Sequence, residues 1–290
     1  MKSCIFKYIR FTGLPFLFRE LFQRNKITIL LFHDISADKG SYVFPFLKKH
    51  YNIIALSHYL DAVKNGKPLP PKAMIITFDD GFVGNYQLLP LIRKFQIPIT
   101  IFLCSDIIGT HRHFWSNHCE GVISDDDIDK LKELPNAERL DALRKYGFEQ
   151  TREYEDIQAL TREQIEEMRP WVDFQAHTCF HPILPQCDDE TAKAEITLSK
   201  QHLERDFGFV IHTLAYPNGD YSSRDIRFAK EAGYTCAVTV DPGYNDLHTD
   251  LFRLKRISVN EAPTMDEFIV KASGCFAILK NIVKKRKIYE

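Results

Sequence analysis

No two cysteines of this sequence stand in Cys-x-x-Cys spacing, and the 7 present (Cys4, Cys104, Cys119, Cys179, Cys187, Cys236 and Cys275) are scattered and odd in number. Such a set argues against a disulfide scaffold and for a reducing compartment. A charge excess is missing too. The 38 Lys and Arg face 39 Asp and Glu, a formal net charge of -1. No global field draws the chain to nucleic acid, and no nucleic-acid partner is expected. Near the start, the apolar run Phe11 to Phe18 is broken by Arg19 and Glu20. It is too short to span a bilayer and has no small-residue cleavage site behind it, so the expected location is cytoplasmic. Repeats, low-complexity tracts and a Pro- or Gly-rich linker are also lacking. The 290 residues suit one large α/β domain or two small ones.

What is present begins with an amphipathic segment. Residues 4–24 mix Phe, Ile and Leu with Lys7, Arg10 and Arg19. Two readings stand: a peripheral membrane contact through residues 1–24, or a helix packed on the outside of the fold. Residues 1–26 are therefore set apart from a main domain at 27–275. A basic tail at 276–290, with Lys280 and Lys284 to Lys287, either adds attraction to anionic lipid or is solvated.

Short apolar runs alternate with helical patterns over the main domain. The strand-like runs are Ile27–Phe32, Asn52–Leu56, Ala73–Phe78, Ile99–Cys104, Val172–Ala176, His212–Tyr216, Cys236–Val240 and Leu254–Val259. Several are apolar at consecutive positions, as strands buried on both faces are. Helices are expected at 85–95, at 162–169 with a Thr161/Gln164 capping box, at 189–207 ending on Gly208, and at 224–232 capped by Ser223. The alternation implies parallel βα units, and their number a closed or nearly closed (β/α) barrel. Residues 111–160 interrupt the rhythm and read as a helical insertion over the barrel mouth.

The most informative pattern is where polar residues fall. His33-Asp34, Asp79-Asp80-Gly81, His177, Pro217-Asn218 and Asp241 each follow a strand-like run. In a parallel barrel these ends converge on one face, where active sites are built. Adjacent buried carboxylates such as Asp79 and Asp80 resist joint ionisation unless a cation relieves them. The bland alternative is an Asp-Gly turn with a solvated Asp. His177 and His181, four apart, share a face if they lie on a helical turn and can grip one metal. The alternative is two unrelated histidines. Cys179, between them, reads as a small core residue. A looser set, His111, His113, His118 and Cys119, lies in the insertion without standard ligand spacing. Phe114 and Trp115 there offer faces for a sugar ring or pack a lid.

Two segments carry a family resemblance. Thr77-Phe78-Asp79-Asp80-Gly81 resembles the first motif of NodB-like polysaccharide deacetylases (carbohydrate esterase family 4). His177-Thr178-Cys179-Phe180-His181-Pro182 resembles their second. The resemblance covers roughly 27 to 270 and implies an α/β fold, a distorted (β/α) barrel of about seven strands. It implies that Asp80, His177 and His181 hold a metal and that Asp79 is the general base. The metal expected is Zn²⁺, with other divalent ions fitting the same donors. Tyr216, Pro217 and Asn218 occupy the third motif beside the substrate, a backbone N–H near Asn218 serving the oxyanion. The third motif's arginine is missing: the segment reads Ala215-Tyr216-Pro217-Asn218. The late Leu-x-His motif reads Leu254-Lys255-Arg256 and lacks its histidine. A subgroup of the family takes the acid from an early strand, and Leu31-Phe32-His33-Asp34 resembles that segment, so His33 is assigned as general acid.

The expectation is a metal-dependent hydrolase deacetylating an N-acetylated sugar in a glycan or glycolipid precursor. One rival is a non-catalytic carbohydrate-binding protein on a deacetylase scaffold, motivated by the two departures. Another is a phosphohydrolase with Asp79 as nucleophile, which leaves His177 and His181 unexplained.

Overall fold

A computed structural model of the chain describes residues 2–277. Eight strands form one parallel sheet: β1 (Ile27–Phe32), β2 (Asn52–Ile53), β3 (Ala73–Phe78), β4 (Ile99–Leu103), β5 (Val172–Ala176), β6 (Thr213–Ala215), β7 (Cys236–Val238) and β8 (Ile257–Ser258). Their order is β7-β6-β5-β4-β3-β1-β8, with β2 added beside β3. β2 takes the first residues of one β3 edge, opposite Ala73 and Met74, and β4 takes the rest from Ile76. The ring is drawn together where Leu254, just ahead of β8, bridges Val238 in parallel. The Thr239 N–H donates to the Leu254 carbonyl at 2.8 Å. The result is a distorted, incompletely closed (β/α) barrel, the expected fold class.

All residues of β1, β3 and β4 are buried, which explains their unbroken apolar runs. Strand alternation still sorts them into two cores. Ile27, Ile29, Ala73 and Ile75 meet Phe102, Ala215, Val238 and Leu254 in the barrel interior. Leu30, Phe32, Met74, Ile76 and Phe78 face the surrounding helices. Odd-numbered positions of β3 thus point inward, and Asp79 continues that series.

Helix boundaries follow local chemistry. Asp188 caps Asp189–Phe207, and left-handed Gly208 ends it. The Thr161/Gln164 capping box opens Arg162–Met168. Two expectations need correction. The cap of Ser223–Glu231 is Ser222, in a box with Asp225. Residues 83–88 form a 3₁₀ turn before the α-helix Leu89–Phe95, because Pro90 lacks the N–H that an uninterrupted helix needs there. Residues 111–160 contain the short helices Trp115–Cys119, Asp125–Glu133 and Asn136–Arg144. They gather a small core of Trp115, Cys119, Leu131, Leu143 and Phe148.

Before β1, helix Lys2–Phe11 packs Phe6 against Val270 and Cys275. A turn at Gly13 then sends the chain back through Leu14–Leu17 and Phe18–Phe22. Among the described residues no helix is long and apolar enough to cross a membrane. The tail expected at 276–290 lies, from 278 onward, outside the described residues.

Candidate metal centre and its base

At the end of β3 the two carboxylates part company. The Asp79 N–H continues the ladder to the Phe32 carbonyl at 3.0 Å. Asp80 then enters the left-handed region at φ 71°, and Gly81 follows at φ 74°. Asp is among the few side chains that adopt this conformation readily. At Gly81 a Cβ would lie 2.5 Å from the Leu103 side chain, so only glycine completes the turn. The reversal sends the Asp80 carboxylate towards β5 and leaves that of Asp79 in the barrel.

His177 and His181 do not share a helical turn, as the four-residue spacing had implied. They lie in an irregular loop after β5. Thr178 and His181 are both left-handed, at φ 66° and 56°, and Pro182 disfavours the helical region for His181. Side chains hold the loop instead. The Thr178 hydroxyl oxygen accepts the His181 N–H at 3.2 Å. One oxygen of buried Glu195 accepts the N–H groups of Cys179 and Phe180 at 2.8 and 3.0 Å. The buried Trp115 indole N–H donates to the His181 carbonyl at 3.1 Å.

The outcome is three buried donors facing one point. Asp80 Oδ1 lies 3.4 Å from Nε2 of His177 and 3.4 Å from Nε2 of His181. That oxygen is buried with no hydrogen-bond partner, as is His181 Nδ1. An orphaned carboxylate oxygen between two imidazole nitrogens is costly in a dry site, and a cation there removes the cost. His177 Nδ1 lies 2.8 Å from the Ala215 carbonyl. That pairing places the proton on Nδ1 and turns the Nε2 lone pair to the centre. Aspartate with two imidazoles is a donor set that Zn²⁺ and its neighbours accept. The residues fit a divalent metal.

The electrostatics agree. Burial alone would raise the Asp80 carboxyl, but the facing His181 and His177, with His33 further out, hold it well below its usual range. Burial pushes His181 down to about 4, leaving it neutral near pH 7, as a ligand must be. At His177 burial works downward too, yet Asp79 and Asp80 reverse it and the net shift is upward.

Asp79 has a partner that the sequence did not disclose. Arg256, fully buried just ahead of β8, donates from Nη1 to Oδ1 and from Nη2 to Oδ2 of Asp79, both at 2.7 Å. Its Nε donates to the Thr239 carbonyl at 2.7 Å and Nη1 also reaches Thr77 Oγ1 at 3.2 Å. Burial would raise the Asp79 carboxyl; the Arg256 charge overrides it and the net shift is downward. The arginine absent from the third motif is thus replaced from the position where the late motif would carry histidine.

The remaining expected residues divide. His33, half-buried after β1, acts electrostatically on Asp79, Asp80 and His181. Its carbonyl accepts from Asn85 at 2.8 Å. Asn218 is left-handed at φ 53°, with a buried side-chain N–H group that has no partner. Trp115, Tyr216 and Pro217, expected beside the substrate, lie beneath the surface. Trp115 braces His181, and the Tyr216 hydroxyl donates to the Phe252 carbonyl at 3.2 Å. In the insertion, His113 links Asp156 at 2.9 Å to His118 at 3.0 Å, so those histidines form a hydrogen-bonded chain.

Comparison with known proteins agrees with this architecture. The family profile described as Polysaccharide deacetylase matches residues 66–237. YxkH of Bacillus subtilis (strain 168), named for the same family, is 23% identical over 246 residues, 81% of this chain and 72% of its own. The poly-beta-1,6-N-acetyl-D-glucosamine N-deacetylase of Escherichia coli (strain K12) is 37% identical over 57 residues, 19% of this chain but 8% of that protein. Among solved structures, Streptococcus pyogenes deacetylase PplD in complex with acetate superposes with a TM-score of 0.63 at 19% identity, covering 86% of this chain and 99% of that one. IcaB from Ammonifex degensii gives 0.62 at 17% identity, covering 87% and 98%. The chain belongs to the polysaccharide deacetylase family of carbohydrate esterases.

Proposed function

We propose that this chain hydrolyses the acetamide of an N-acetylated hexosamine in a glycan or glycolipid precursor, with a divalent cation, Zn²⁺ first among candidates, held by Asp80, His177 and His181. The observation that supports this most directly is the orphaned Asp80 oxygen, 3.4 Å from both imidazoles. A bound cation would supply Lewis-acid chemistry, polarising the acetyl carbonyl and acidifying a water. The protein's own groups do the rest. Arg256 fixes the plane of the Asp79 carboxylate and keeps it ionised; each oxygen retains a second lone pair for the water proton. The bent turn at Asn218 offers backbone N–H to the oxygen that gains charge. His33, on the neighbouring strand end, gives a proton to the departing amine. The products are acetate and a free amino sugar.

The N-acetylglucosamine class is supported by the family and by the named substrate of the short E. coli match. A glycolipid or membrane-adjacent substrate is supported by the N-terminal hairpin. Tyr8, Phe11 and Leu21 are 76%, 73% and 67% exposed there, an unusual density of bare apolar surface. The non-catalytic reading loses one of its two grounds, since Arg256 stands in for the missing arginine.

Acetate release from N-acetylglucosamine oligomers, with and without chelator, tests the proposal. We expect metal-dependent release that falls at least about a thousandfold in Asp79→Asn, which keeps the shape but removes the base. Oligomer binding without acetate release, with metal restored, would establish the non-catalytic reading.

A further inference from the structure

Behind the ligand loop lies a second cluster of donors. Asp106 follows β4, Cys179 sits between His177 and His181, and His202 lies on helix Asp189–Phe207. One ligand atom from each falls within 4.8 Å of the other two. We propose that Asp106, Cys179 and His202 form a second divalent-metal site, selective for thiolate-accepting ions such as Zn²⁺ or Co²⁺, that clamps the catalytic loop.

The donor set is the first argument. A thiol, an imidazole and a carboxylate together match the mixed S, N and O ligation of zinc and exclude calcium or magnesium as preferred occupants. Its construction is the second. His202 Nδ1 already lies 2.8 Å from Asp106 Oδ2, and Ser105 Oγ donates to the same oxygen at 2.7 Å. Asp106 is therefore oriented by a supporting hydrogen bond, as ligating carboxylates are. The Ser105 and Asp106 N–H groups donate to the Thr178 and Cys179 carbonyls at 3.0 and 3.2 Å, which fixes one ligand strand against the other. His202 stands two turns from Glu195 on one helix face, and Glu195 grips the Cys179 and Phe180 amides.

Access is the third. Asp106 and His202 keep 21% and 22% of their side chains exposed. A cavity of about 330 Å³ lined by Asp106, Cys179, Glu190, Glu195 and His202 leads to them. It has room for an ion and a completing water, with acidic side chains on its wall. Tetrahedral bonds of about 2.0–2.3 Å separate donors by roughly 3.3–3.8 Å, so the cluster needs only to open the His202–Asp106 pair slightly and draw the sulfur in. On binding, the ion replaces the thiol proton, which leaves to solvent.

The consequence follows from place. Thr178 and His181, either side of Cys179, hold left-handed backbone at φ 66° and 56°, a conformation that non-glycine residues keep only when surroundings over-determine it. An ion tying Cys179 to the β4 loop and to the helix supplies that restraint without touching the catalytic donors.

The test uses the full chain with its first site disabled by Asp80→Ala and His181→Ala together, so it does not depend on the proposed reaction. Co²⁺ titration is followed by its sulfur-to-metal charge-transfer absorption, with circular dichroism as the check on folding. We expect one equivalent bound with that band and a raised Tm. Adding Cys179→Ser should remove the band, and adding His202→Ala should weaken binding at least about tenfold. No stoichiometric binding by the folded variant, or a band that survives Cys179→Ser, would overturn the proposal.

Discussion

In the proposed function Asp79 is the base, and Arg256 sets the state of its carboxylate. A carboxylate buried without a counter-charge would take up a proton and cease to be a base; two 2.7 Å bonds from one guanidinium prevent that. Removing the guanidinium should cost about 3–5 kcal/mol, because it strands a buried charge. It should also lift the Asp79 pKa from its depressed value. We expect Arg256→Gln to unfold at lower denaturant, to lose about 10–100-fold in kcat, and to show the acidic limb of its pH–rate profile displaced upward. Lower stability with an unmoved limb would assign Arg256 a purely structural part. Asp79, Asp80, His177 and His181 were legible as a group because each follows a buried apolar run or stands beside one that does. Arg256 was not. Its relation to Asp79 spans 177 positions and exists only because the ring brings β8 beside β1.

At the scale of elements, the ligand loop is held by its neighbours. Glu195 illustrates the cost. It satisfies two loop amides, yet burial lifts its carboxyl to about 7. A group whose folded pKa exceeds its unfolded value of about 4.5 stabilises the fold fully below that value and loses the contribution as pH rises through 7. The depressed Asp79 and Asp80 act oppositely: their contribution is present above about 3.8 and is lost as pH falls through their folded values. Glu195→Gln should therefore remove a decline of at most about 3 kcal/mol between pH 4.5 and 7. Urea unfolding of chelated protein at pH 5 and pH 7.5 checks it; parallel behaviour of variant and parent would refute the assignment. Six of the eight strand runs and the Thr161 and Gly208 helix signals lie within two residues of the elements formed; β2 ends and β8 begins three residues inside the expected runs. The loop's two left-handed residues and its indole brace leave no periodic signature: histidine spacing suggests a helical turn, and nothing local chooses between a sugar contact and a packing role for Trp115. For the histidines local spacing misleads, because contacts across the fold decide the loop.

For the whole molecule, the barrel gathers strand ends from distant parts of the chain onto one face, and the N-terminal hairpin stands beside it. Arg10 pairs with Asp266 at the start of helix Met265–Ala272, just after β8, which places the hairpin's tip near the same end of the barrel. Exposed Phe11, Phe16 and Leu21, with Lys7 and Arg24 among them, suit an anionic bilayer surface. Co-sedimentation with phosphatidylserine-containing vesicles should retain the parent chain and lose Phe11→Asp/Phe16→Asp, while acetate release from water-soluble oligomers stays unchanged. Failure of the parent chain to sediment would leave the hairpin a packing element only.

The proposed function stands or falls with a cation held at the ends of β3 and β5. Anomalous diffraction at the zinc edge, from crystals grown with the ion, tests that most directly. A peak is expected within about 2.0–2.2 Å of Asp80 and of Nε2 of both His177 and His181, and it should vanish in His181→Ala. A fully loaded protein with no density between those three side chains, or with Asp80 turned away from both imidazoles, would contradict it.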